Sequence, residues 1–174
     1  MPAEEPTMED RFSKSVQTVI LSYVLLLAGL AIHEVAHLVV LFAFGKTGTL
    51  IIVPWRFGIA DYYIWGLHVE PSPPLTVADQ TLLNFFGPII AIVPFAFLLR
   101  YVKERIPRVA ILANIFVLIF FAILEAGYEV LEFALKRGIG ILGSPEFNIG
   151  VPMLIFLIMV YMKIWRAPQN RETS

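Results

Sequence analysis

Cysteine is absent from all 174 residues, which excludes disulfides, thiolate nucleophiles and iron–sulfur ligation and leaves the redox compartment without a marker. Charge is scarce too, at 16% of residues against ~25% in ordinary soluble domains. The 13 Lys and Arg face 14 Asp and Glu, so no basic surplus exists to neutralise phosphates, and nucleic acid is not an expected partner. Histidine is limited to three, at positions 33, 37 and 68, which caps any imidazole metal site at three ligands. Internal repeats and low-complexity tracts are also missing. What fills the chain instead is apolar: 58% of residues, above the ~45–50% of soluble domains. A lipid environment is the first expectation.

Four apolar runs carry it: residues 19–44, 82–99, 109–135 and 149–165. A helix rising ~1.5 Å per residue crosses ~30 Å of hydrocarbon in roughly 17–25 residues, so each run is long enough, the last barely. The first and third have length to spare for tilt or projection. The runs mostly lack the polar face at a 3.6-residue period that marks a soluble amphipathic helix. The first run follows a mixed-charge stretch, exceeds a signal-peptide core and carries ionisable residues, so it reads as a retained span. The expected fold is an all-α membrane protein with four transmembrane helices. Residues 16–166 would form a single multi-pass membrane domain, with a mobile N-terminal tail over 1–15 and a C-terminal tail over 167–174.

The only long connection, residues 45–81, differs in character. Thr49-Leu50-Ile51-Ile52-Val53 and Tyr62-Tyr63-Ile64-Trp65-Gly66-Leu67 are rich in strand formers, with a turn expected between Pro54 and Asp61. This predicts a small β-hairpin between the first and second spans. Because open strand edges are not tolerated in lipid, it must pack on the helices or line a wet cavity. Pro71-Ser72-Pro73-Pro74 then breaks the chain before the second span. Trp55, Tyr62, Tyr63 and Trp65 read as interfacial anchors. Nine Lys and Arg fall on one side of a four-span arrangement and four on the other, which places both termini in the cytoplasm.

The informative residues are ionisable groups inside the spans. His33-Glu34-Val35-Ala36-His37 is an H-E-x-x-H motif in the first run. On a helix the two imidazoles, four residues apart, face the same way and can bind one metal ion. Glu34 is then placed to act as general base on a water activated by that ion. Three ionisable groups within five residues of a span cost several kcal/mol unless they are partnered, so such residues are functional by default. The third run carries Glu125, Glu129 and Glu132 at i, i+4 and i+7, three carboxylates on one helical face. Such a stripe in lipid is protonated, paired or bound to a cation. A catalytic zinc held by two imidazoles needs a third protein ligand, and this stripe can supply it. Glu125, deepest in its run, is the expected ligand, with Glu129 one turn away as the alternative. Glu132 has a partner within reach in Lys136 or Arg137.

The order of these elements resembles the site-2 protease family of intramembrane zinc metalloproteases. His33, Glu34 and His37 match its motif residue by residue. Phe86-Gly87-Pro88 resembles the Gly-Pro element of its second core helix, and Leu124-Glu125-Ala126-Gly127 resembles its Leu-Asp-Gly-Gly segment. The resemblance covers residues 21–131 and implies a three-helix core, a zinc ion on His33, His37 and Glu125, and Glu34 as catalytic base. It also implies the opposite topology from the charge count, with both termini outside. Two departures stand out: glutamate replaces the family's aspartate, and the Asn-x-x-Pro element before it is missing, although Asn114 lies about three turns upstream of Glu125 on the same face.

Other residues carry weaker signals. His68 lies among aromatics in the connection and reads as a surface imidazole. Asn84, Asn114 and Asn148 have amides that can stabilise an oxyanion, or simply pack or cap helices. Pro88 and Pro94 can kink the second span and make room for water or substrate. Gly45-Lys46-Thr47 lacks the glycine-rich lead of a phosphate loop. The function expected is hydrolysis of peptide bonds in or near transmembrane segments of membrane-protein substrates, by a zinc enzyme in the lipid bilayer, in the cell membrane. The competing expectation is a non-catalytic multi-pass protein, either a degenerate relative or one that handles ions or protons.

Overall fold

The computed structural model describes residues 7–56, 63–136 and 145–166. Helix α1 spans Met8–Ala43, strands β1 and β2 span Thr47–Arg56 and Tyr63–Ser72, and helices α2, α3 and α4 span Val77–Tyr101, Arg105–Leu135 and Pro145–Val160. A π turn over Tyr161–Trp165 continues α4. Helices α1, α2 and α3 are each long and apolar enough to cross a membrane. The fourth apolar helix is shorter than the other three.

Helix α1 begins well before the apolar run, so residues 8–15, expected as tail, are helical. The reason is local. The Thr7 hydroxyl accepts from Asp10 N at 3.2 Å and the Asp10 carboxylate accepts from Thr7 N at 3.3 Å, a capping box. Glu9 and Asp10 also place negative charge at the positive end of the helix. Further along, Ser15, Thr18 and Ser22 donate to carbonyls four residues back at 2.7 Å, so Thr18 and Ser22 are buried without an unmet donor. Gly45, at φ 67°, ends α1 by reversing the chain into β1.

The hairpin is antiparallel and longer than the strand formers alone suggested, running from Thr47 paired with Ser72 to Arg56 paired with Tyr63. It sits on the helices: Val69 packs with Val40 and Leu41 of α1 and Leu83 of α2. Lys46 Nζ donates to Asp79 Oδ2 at 2.7 Å and so fixes the hairpin base to the start of α2. His68 is exposed on β2, opposite Ile51. The side chains of Trp55, Tyr63 and Trp65, and the whole of Tyr62, lie outside the described residues, as do Arg137, the side chain of Asn148, and residues 1–6 and 167–174.

The four helices alternate in direction, and two seams hold them. Leu26, Val109, Val117, Phe121 and Phe156 join α1, α3 and α4. Ala91, Phe95, Ile111 and Leu118 join α2 to α3. Asn114 is buried and donates to Ser22 O at 3.0 Å and Ala110 O at 2.9 Å, so its amide binds α3 to α1. At the end away from the hairpin, Trp165 Nε1 donates to Ser15 Oγ at 2.9 Å and the Arg105 guanidinium donates to the Lys163 carbonyl. The start of α1, the α2–α3 link and the π turn therefore share one end of the bundle.

Candidate metal centre

His33 and His37 lie one turn apart on the face of α1 that meets α2 and α3, and both are buried, 4% and 8% exposed. The two Nε2 atoms are 3.0 Å apart. Glu125 arrives from α3, with Oε2 3.5 Å from His33 Nε2. One ligand atom from each of the three residues lies within 4.8 Å of the others. Antiparallel packing explains the meeting. Counted from the hairpin end, His33 is ten residues inside α1 and Glu125 ten residues inside α3, about 15 Å of helix in each case. Depth in the bundle is thus matched.

These distances suit one metal ion. A tetrahedral ion with bonds of ~2.0–2.1 Å keeps its ligand atoms roughly 3.4 Å apart. The donor set of two imidazoles and one carboxylate is the kind that catalytic zinc uses while keeping a fourth position for water or substrate. Glu34 adds a second fit. Its Oε2 is buried, has no hydrogen-bond partner among the described residues, and lies 3.5 Å from His37 Nδ1. A buried carboxylate oxygen without a donor is costly unless a ligand or water supplies one.

Helix α2 closes the third side. A Cβ placed on Gly87 would lie 2.1 Å from His37 Cδ2 and 2.2 Å from His37 Nε2, with His33 Cδ2 at 3.1 Å. Only glycine lets the α2 backbone come this near the imidazoles. Gly87 is again ten residues from the hairpin-side end of its helix, level with His33 and Glu125. Helix α2 continues through Pro88 and Pro94.

The remaining sequence candidates separate. Glu129 accepts from Asn84 Nδ2 at 3.2 Å, and Asn84 Oδ1 accepts from Gln80 Nε2 at 2.8 Å, which gives a polar chain from α2 to α3 on the hairpin side of the centre. Asn114 lies eleven residues from Glu125 and serves packing. Exposed His68 is not in the cluster. Sequence reasoning missed Gln80, although the i, i+4 pair of amides at the head of an apolar span was a readable signal. Compared with protein-family models, curated proteins and solved structures, the chain matches none. The functional reading therefore rests on geometry.

Proposed function

We propose that this chain is an intramembrane zinc metalloprotease that cuts peptide bonds in or beside the transmembrane segments of membrane-protein substrates, in the manner of the site-2 protease family. We place it in the cell membrane, with α4 and its π turn as a fourth, shorter span. One observation carries the reading: His33, His37 and Glu125 converge from two helices, with the carboxylate of Glu34 beside them. Zinc held there would supply Lewis-acid polarisation of the scissile carbonyl and an activated water. Glu34 takes the proton of the attacking water and delivers it to the leaving amine. The backbone at Gly87 walls the imidazoles and keeps His37 from swinging toward α2. Water reaches a centre about 15 Å inside the helices along the Gln80–Asn84–Glu129 side, where polar groups line the α2–α3 seam. A helical substrate must unwind before hydrolysis, since its peptide groups are otherwise hydrogen-bonded. A two-stranded sheet has unpaired edges that can hold the unwound segment.

The second reading, a non-catalytic protein that handles ions or protons, draws on the same polar chain, because ionisable groups within spans also form relays. Glu34→Gln separates the two. Wild-type protein should carry close to one zinc per chain and cleave members of a panel of single-span substrates in proteoliposomes. The variant should keep its zinc and lose at least about a hundredfold in rate, the lower range for losing a general base. Well-folded wild-type protein without metal, or a variant that still cleaves, overturns the protease reading.

A further inference from the structure

Helices α3 and α4 leave between them an apolar groove of about 710 Å³ on the outer face of the bundle. Phe116, Ile119 and Ile123 form one wall, Ile155 and Met162 the other, and Lys163 closes one end. The groove lies on the face of α3 opposite Glu125, two residues away at its Ile123 end, and does not depend on the reading of the metal centre. We infer that it binds one acyl chain of an anionic phospholipid whose phosphate is held by Lys163.

Three observations favour this occupant. The first is length. Along α3 the groove runs from residue 112 to residue 123, about 16 Å of helix, which matches half of a ~30 Å hydrocarbon core, the reach of a chain from a single leaflet. The second is charge. Lys163 lies on the π turn at the bundle end where described Lys and Arg (Arg11, Lys14, Arg100, Lys103, Arg105, Arg108, Lys163 and Arg166) outnumber Glu9, Asp10 and Glu104. Such a surplus beside the membrane attracts anionic headgroups. The third is local build. The Arg105 guanidinium is tied to the Lys163 carbonyl, which fixes the α4 end against the start of α3 and sets the lysine at the groove mouth. The lining side chains are strongly exposed, 54% for Phe116, 62% for Ile123 and 51% for Met162, so the groove is open to surrounding lipid.

The test is native mass spectrometry of the full chain released from detergent, offered phosphatidylglycerol and phosphatidylcholine with identical acyl chains in competition. One phosphatidylglycerol per chain should be retained in preference. Lys163→Ala, at an exposed position, should reduce that preference by about fivefold, the effect of one lysine near an anionic surface. Ile119→Trp, which fills the groove, should lower retention of both lipids while helix content by circular dichroism is unchanged. Equal retention of the two lipids by wild type, or a preference that survives Lys163→Ala, overturns the inference. So does a dimer that Ile119→Trp dissociates, which would put a second copy in the groove.

Discussion

Replacing Gly87 with alanine should separate metal binding from folding more cleanly than any ligand substitution. The added methyl would sit 2.1 Å from His37 Cδ2 and 2.2 Å from Nε2. Restoring a carbon contact of ~3.5 Å requires the ring, or the α2 backbone, to retreat by roughly 1.4 Å. Metal–ligand bonds tolerate departures of only about 0.2 Å, so His37 can no longer share an ion with His33 and Glu125 without wider repacking. A loss of at least about tenfold in zinc affinity follows, in the range seen when groups that orient metal ligands are removed. Alanine in a helix interior is meanwhile favoured over glycine by ~1 kcal/mol, which offsets part of the ~1–3 kcal/mol of overpacking. The protein should stay folded. Gly127→Ala is the control: it lies on α3 two residues past Glu125, and its methyl would meet nothing within 4 Å. Chelator-competition titration of detergent-solubilised protein measures zinc affinity, and circular dichroism follows the helices. Wild-type zinc affinity in Gly87→Ala would refute the contact between α2 and the imidazoles, and with it the geometry of the centre.

Glu125→Ala should lower zinc affinity sharply, whereas Glu129→Ala, which removes a carboxylate engaged by Asn84, should leave metal content near wild type. Elemental analysis of the two purified variants decides this, and the opposite order of effects would move the third ligand one turn along α3. Asn114→Ala should keep full zinc but cost about 1–2 kcal/mol, since it removes the buried side-chain hydrogen bonds to the Ser22 and Ala110 carbonyls that tie α3 to α1. Unfolding of the variant in mixed micelles measures that cost, and metal loss instead would tie Asn114 to the centre.

Much of this molecule was readable without its structure, because much of it is local. The long apolar runs and the helical offset of four residues that turns His33 and His37 to one side depend only on length and on the 3.6-residue period. Two segments rich in strand formers likewise placed a hairpin between the first two helices. The sequence also reduced the possible third ligand to one carboxylate stripe, by ligand count and depth. It missed the early start of α1, where a capping box at Thr7 and Asp10 outweighed the polar composition of the segment. Its fourth span is a helix shorter than the other three, ending in a π turn. Tertiary packing alone decided which glutamate meets the imidazoles. Glu125 and Glu129 share a face of α3, but the level at which α2 and α3 stack against α1 sets Glu125 beside His33 and gives Glu129 to Asn84. The same stacking turned Gly87 from a helix weakener into the point where α2 touches His37. Such contacts join residues 45 to 92 positions apart, and no periodicity along the chain encodes the relative height of two packed helices.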